Sequence, residues 1–163
     1  MTAPEGGWTL DVFATDSGVE PFTSFLDELS DAAAVALDAA LNHVLAVRGI
    51  DLANSEWLKP LGKGLHEFRV RHSADEIMHM FADEQPGVAP DPESILLRVF
   101  VHFHGRRVVL LLSGYDKQDD ASKKRQEKEI AFARKCLSAW NQQEARRRAQ
   151  ERKGRSGGRA RHR

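Results

Sequence analysis

Polar and apolar positions alternate in short runs near the start and middle of the chain, and recur every three to four residues elsewhere. Trp8–Phe13 (WTLDVF) alternates and is rich in β-prone residues, which predicts a first strand. Ser17 followed by Glu20 has the form of a capping box. Val19, Phe22, Phe25, Leu26 and Leu29 follow at helical spacing, so a helix is expected over Gly18–Leu29. Asp31–Arg48 is rich in Ala and Leu, with Asp31 placed as an N-cap and Gly49 as a stop, and predicts a second helix. Two helices with almost no loop between them imply an antiparallel hairpin.

The middle of the chain changes period. Asp51–Gly64, with Pro60, Gly62 and Gly64, reads as irregular, and Leu65–His72 as a strand. Ser73 and Glu76 form a second capping-box pattern ahead of a short helix, Ala74–Phe81. The acidic, proline-containing stretch Asp83–Glu93 is expected to be a mobile loop. Ile95–His104 and Arg107–Tyr115 flank a tight His104-Gly105-Arg106 turn and predict a hairpin. Asp119–Trp140 is expected to be a last helix, with Ile130, Ala131, Ala133, Leu137 and Trp140 in one stripe; the pattern fades after Ala145. The fold expected is α+β: an N-terminal helical hairpin packed on one face of a small antiparallel β-sheet, with a C-terminal helix and a basic tail. Residues 1–145 form the domain, and 146–163 are expected to be disordered.

Composition adds location and charge. Of the 163 residues, 41% are hydrophobic and 29% charged, an ordinary balance for a folded soluble chain. The one cysteine, Cys136, excludes an internal disulfide framework. No apolar run reads as a membrane span and the N-terminus lacks the pattern of a signal peptide, so a cytoplasmic protein without membrane contact is expected. The 24 basic and 24 acidic residues cancel, but nine Lys/Arg and one Glu fall in 146–163, which leaves 15 basic and 23 acidic on 1–145. Such a split suggests a flexible electrostatic arm able to contact phosphates, or a solvated end with no partner.

Alternation also sorts the strand residues by face. Phe68 and Val70 fall on one side, and Glu67, Arg69 and Arg71 on the other. Val99, Val101 and Phe103 take the core side, opposite Arg98, Phe100, His102 and His104. Val108, Leu110 and Leu112 are expected in the core, opposite Val109, Leu111, Ser113 and Tyr115, with Lys117 following on the polar side. If these strands are neighbours, the polar set shares one surface. That surface has the chemistry of a metal-independent RNA endonuclease, which must deprotonate a 2′-OH, protonate the leaving oxygen and stabilise phosphoryl charge. Arginine suits the last task because its planar fork binds phosphate bidentately. A solvated sheet face with no function has the same pattern. His102 and His104 are spaced as a metal pair, but no third ligand accompanies them, so no metal is expected. His66 and His72 fall on the core side, and Cys136 reads as a packed thiol.

The order of these segments resembles a known family. Lys59-Pro60-Leu61-Gly62-Lys63-Gly64-Leu65-His66-Glu67-Phe68-Arg69 is similar to the "K-x-L-…-G-L-x-E-L-R" segment of phage-derived, HigB-like toxins of the RelE/ParE superfamily. Leu97-Arg98-Val99-Phe100 resembles their second sheet segment. Val109–Lys117 resembles their "V-L-L-H-G-F-x-K-K" strand, and Glu129–Arg134 their "E-I-x-x-A-R" helix. The resemblance spans roughly residues 8–140 and implies the toxin of a type II toxin–antitoxin system. Such a toxin is an mRNA interferase acting at the ribosome without a cofactor, held inactive by an antitoxin, often of helix-turn-helix type. It implies functional roles for Arg69, Arg98, Tyr115 and Lys117, with Glu67 a weaker match. Arg69 and Arg98 would bind phosphate, Lys117 would assist proton transfer or carry charge, and Tyr115 would orient a base. His102 joins the catalytic set as an acid or base because imidazole titrates near neutrality. Glu67, Arg71, Phe100 and His104 complete the RNA-binding face. Gln118 stands where the second Lys is usual, Ser113 where His is common, and Asp116 adds a negative charge. Inhibition of DNA gyrase by a ParE-like chain, or a non-enzymatic interaction module, remain open on the same fold.

Overall fold

The computed structural model describes residues 6–81 and 94–160; the expected loop Asp83–Glu93 and positions 161–163 of the tail lie outside the described residues. Strand β1 (Thr9–Val12) leads into helices α1 (Pro21–Asp27) and α2 (Asp31–Ala40). A π-turn, Leu41–Leu45, and a last turn, α3 (Ala46–Arg48), continue α2. Then come β2 (Leu58–Gly62), β3 (Leu65–Val70), α4 (Ala74–Phe81), β4 (Leu97–His104), β5 (Val108–Asp116) and the long α5 (Lys123–Ala160). The chain is α+β, as its pattern predicts.

Helix starts follow local chemistry. Pro21 fixes the first turn of α1, so the helix begins there rather than at Gly18, and the Ser17–Glu20 pattern forms a turn instead of a cap. The cap of α2 is Ser30, whose hydroxyl accepts the N–H of Ala33 at 3.2 Å, one residue before the expected Asp31. Ser73 does cap α4, accepting the Glu76 N–H at 3.3 Å while its hydroxyl donates to the Glu76 carboxylate. Ser122 caps α5 through the Arg125 N–H at 3.1 Å.

The five strands form one sheet in the order β1-β5-β4-β3-β2. Three pairings are antiparallel, but β1 runs parallel to β5, so the sheet is mixed rather than purely antiparallel. Strand β2 lies where an irregular segment is expected. It hydrogen-bonds to β3 through a tight turn in which Gly62, Lys63 and Gly64 all have positive φ, and Pro60 is tolerated because β2 is an edge strand.

Helices cover both faces of the sheet, not one. On the first face, α1, α2 and the π-turn pack Phe22, Phe25, Leu37 and Leu45 against Phe68, Val99, Val101, Val109 and Leu111. On the second, Ala133, Cys136 and Leu137 of α5 pack against Phe13, Leu65, Phe100, Leu110, Leu112 and Tyr115. Each fully buried Leu or Phe contributes roughly 1.5–3 kcal/mol of hydrophobic stabilisation. Leu110 and Leu112 therefore share a face with Phe100, not with Val99 and Val101 as strict alternation predicts. The reason is a bulge: Phe100 pairs with Ser113 and Val101 with Leu111, which leaves Leu112 as the extra residue. The stretch Asp31–Leu52 is long and apolar enough, by length and composition, to cross a membrane, yet half of it is buried in the fold. Its apolarity serves the first core.

Helix α5 is far longer than the sheet needs. Its 38 residues extend about 57 Å, whereas five strands span about 19 Å across. It continues to Ala160, past Ala145 where the apolar period ends.

Gly114 lets α1 sit on β5. A Cβ there would lie 2.6 Å from the Phe25 ring and 2.9 Å from the Arg98 carbonyl oxygen. Gly114→Ala is expected to destabilise the fold by about 1–3 kcal/mol, read as a lower urea midpoint with an unchanged slope. An unaltered midpoint would show that Phe25 has room to move aside.

His72 clamps α4 to the loop before β2. Its ring nitrogens lie 3.0 Å from both Glu76 and Glu56, and Trp57 packs on its face. Burial lowers the His72 pKa, but the Glu76 and Glu56 carboxylates outweigh that and hold it above the ordinary 6.5. The clamp's stabilisation is thus complete below pH 6.5 and fades as pH rises through the folded value. The stability difference between the native chain and His72→Gln is expected to shrink from pH 6 to pH 8. A difference that is constant or grows with pH would sink this assignment.

Candidate functional site

The antiparallel register of β3, β4 and β5 sets Arg69 beside Arg98, and Arg98 beside Tyr115. The next row holds Glu67, Phe100 and Ser113. Both rows lie on the face that α5 covers. Glu67 is fully buried and accepts a hydrogen bond from the Arg69 Nε at 2.9 Å. The same carboxylate oxygen lies 3.7 Å from the Arg98 Nε, an ion pair too long for a hydrogen bond. Its other oxygen accepts from Gln126 of α5 at 3.3 Å. Arg98, 2% exposed, also donates to the carbonyl of Leu97 at 3.2 Å.

Tyr115 completes the cluster. Its ring stacks on Phe100 with centroids 6.2 Å apart, and the Arg125 guanidinium lies 5.4 Å from the Tyr115 ring centre. Three buried polar atoms here, Arg98 Nε, Ser113 Oγ and Tyr115 OH, have no hydrogen-bond partner among the described residues. Burial lowers the Arg98 pKa; Glu67 opposes that, and the Arg69 and Arg71 charges add to it. Burial also raises the Tyr115 pKa, with the Glu67 charge acting in the same direction, so the phenol stays neutral and keeps its proton to donate. Two guanidiniums face one carboxylate, which leaves the cluster with a surplus positive charge. An oxyanion is the group that would match both that charge and the unpartnered donors.

Access is limited. Arg98 and Tyr115 are both 2% exposed under α5, while the Arg69 side chain is 21% exposed at the edge. Arg71 is exposed two residues further along, and Lys117 is half-buried two residues past Tyr115. The Lys117 N–H donates to the Leu96 carbonyl at 2.8 Å, which extends the β4–β5 pairing beyond the end of β5.

His102 and His104 do not join this cluster. They share its face but lie four and six residues from Arg98 along β4, about 13–20 Å away. There they stack on each other and on Trp140 of α5, with His104 and Trp140 centroids 4.6 Å apart. The His102 Nδ1 is 2.7 Å from the Gly64 carbonyl, which requires that nitrogen to carry its proton. Burial, then the His102 charge, lowers the His104 pKa. These histidines share one surface with the arginines, as expected, but stand at its far end, where they meet Trp140 of α5. Phe100 is wholly covered and meets Tyr115 rather than solvent. Cys136 is packed in the second core, where burial pushes its thiol up to about 11. No group of three or more His, Cys, Asp or Glu able to hold a metal ion occurs among the described residues.

Sequence patterns missed Gln126 and Arg125. They reach the cluster only because the stripe of α5 docks on this face, a tertiary fact with no local signature. Comparison with protein-family models, curated proteins and solved structures finds no match to this chain.

Glu67 holds the cluster together. Glu67→Ala would leave Arg98 buried without its counter-charge and is expected to cost about 3–5 kcal/mol in urea unfolding. The double change Glu67→Leu with Arg98→Met should recover most of that loss. A double variant no more stable than Glu67→Ala would show that the pair's geometry, not its charge balance, is what counts.

Proposed function

We propose that this chain is a cytoplasmic, RNA-acting toxin of the HigB-like branch of the RelE/ParE superfamily, cleaving mRNA in association with the ribosome and silenced by a cognate antitoxin. The observation that supports it most is the row Arg69–Arg98–Tyr115, set side by side by three adjacent strands and left with surplus positive charge. In this reading Arg69 and Arg98 bind the scissile phosphate. Tyr115, held neutral, donates to a phosphoryl or leaving oxygen. Arg71 and Lys117 attract the backbone at the rim. Glu67 is a positioning residue that aims the two guanidiniums.

The covered state of Arg98 and Tyr115 makes this a closed form, so substrate entry requires the first turns of α5 to lift. In those turns Ile130 packs partly buried against the second core. None of Lys123–Phe132 is fully buried, and the deeper contacts of α5 begin at Ala133. Gln126 is tied to Glu67 by a long hydrogen bond.

A second reading has its own observation. With Arg98 and Tyr115 only 2% exposed, the cluster can serve simply as the seat of α5. The chain would then be a non-enzymatic interaction module.

Mapping RNA 5′ ends in a translating extract separates the two. The native chain is expected to generate new 5′ ends, and Arg69→Ala to reduce cleavage on the order of 10²-fold or more. Gln126→Ala, which frees α5, should not reduce it. Intact RNA with the native chain and with Gln126→Ala, alongside persisting growth arrest, would favour the interaction module.

A further inference from the structure

The far end of α5 has no role in the cluster or in the core, yet it carries a dense run of cations, Arg146, Arg147, Arg148, Arg152, Lys153 and Arg155. After Trp140 the contacts of the helix with the rest of the fold are polar among the described residues. Gln143 donates to the Ala14 carbonyl at 2.9 Å, and Arg146 binds the Asp16 carboxylate at 2.9 Å. These contacts fix the root of the helix against the segment that follows β1. Arg147 pairs with Glu144 at 2.6 Å. Beyond it Arg148, Arg152, Lys153 and Arg155 are exposed and form no ion pair among the described residues.

The spacing places the three arginines on a common side. Arg148, Arg152 and Arg155 stand at i, i+4 and i+7, one stripe of a helix. They are separated by about 6 and 4.5 Å along the axis. Like charges at this spacing destabilise a helix by about 0.2–0.5 kcal/mol per pair. The helix dipole offsets such repulsion only in the last turn, and Arg148 and Arg152 lie well before Ala160. Glu151, three residues after Arg148 and four before Arg155, offsets part of this repulsion, and a polyanion along the stripe relieves the rest. A rigid helix with a fixed root and a one-sided row of guanidiniums suits a phosphate backbone better than a compact anion.

We propose that Arg148, Arg152 and Arg155 form a phosphate-binding arm that grips an RNA backbone while the sheet cluster engages the cleavage point. The choice of RNA as occupant rests on the function proposed above. The arm reads charge and not sequence, so it supplies affinity and salt dependence rather than specificity.

The test uses the full chain and a fluorescent single-stranded oligouridylate of about 16 nucleotides, titrated at several salt concentrations. The combined Arg148→Ala, Arg152→Ala and Arg155→Ala variant is expected to bind about tenfold or more weakly at low salt, with a log–log salt slope smaller by about 2. Alanine favours the helix, so the circular dichroism spectrum is expected to be unchanged, and the matching Arg→Lys variant should restore binding. Unchanged affinity and slope would overturn the arm. So would displacement of the RNA by poly-glutamate as effective as by unlabelled RNA, which would point to an acidic protein instead. Different readouts separate the two proposals: cleavage should fall on the order of 10²-fold or more in Arg69→Ala, whereas the arm is read only from the RNA affinity and salt slope of the triple variant. A chain that never cleaves RNA but loses binding in the triple variant retains the arm and loses the nuclease. A chain that cleaves, with binding unchanged in the triple variant, does the reverse.

Discussion

A single buried carboxylate organises the functional half of this molecule. Burying the Glu67 carboxylate inside a sheet–helix interface is costly unless it is paired and its oxygens are hydrogen-bonded. Arg69 and Arg98 supply the charge, and Gln126 satisfies the second oxygen. Four positions on β3, β4 and α5 are thereby fixed relative to one another. A slip of β3 by one residue would send Glu67 and Arg69 to the first core and bring Phe68 out under α5. The ion pair thus guards register, while the apolar residues around it supply most of the stabilisation.

The bulge at Leu112 is the second constraint. Without it, Leu110, Leu112 and Gly114 would share one face along all of β5, with Ser113 and Tyr115 on the other. The extra residue lets Leu110 and Leu112 seat α5 and still turns Ser113 and Tyr115 toward Arg98. One strand thereby supplies apolar contacts at one end and polar groups at the other, on the same face. Gly114 falls opposite, where α1 needs the space that a side chain would fill. The tight packing of α1 and the polarity of the covered face are two consequences of one inserted residue.

The chain's own pattern discloses much of this and hides the rest for definable reasons. Period-two alternation locates β3, β4 and β5, because their residues are sorted by face. It gives the face but not the distance along a strand, so His102 and His104 look like partners of Arg98 although they stand with Trp140. The stripe Ile130, Ala133, Leu137 and Trp140 shows that α5 has a packed side, without showing which surface receives it. That surface is the one whose polar residues look solvent-facing, which is why Arg98 and Tyr115 are covered. Strand β2 escapes notice because Pro60 and two glycines mask a short edge strand that needs few ladder bonds. The parallel pairing of β1 depends on which edge of β5 is free, a matter of topology rather than composition.

Helix α5 unites these features mechanically. Its buried residues, Ala133, Cys136 and Leu137, lie in the middle of the part that crosses the sheet, and the histidine–Trp140 stack reinforces the same region. On one side of that anchor the helix rests on polar groups through Gln126 and Arg125. On the other it is tied by Gln143 and Arg146 to the segment after β1 and then carries cations that form no ion pair among the described residues. Apolar contact is lost steeply once surfaces separate, whereas a long hydrogen bond and a cation over a ring exchange readily with water. A continuous helix transmits tilt along its length, so a force on the projecting cations acts about the central anchor on the turns that cover Arg98 and Tyr115. Under the proposed function, contact with a polyanion at one end and uncovering of the guanidinium row at the other are coupled by the stiffness of one helix. The coupling requires no change in the sheet.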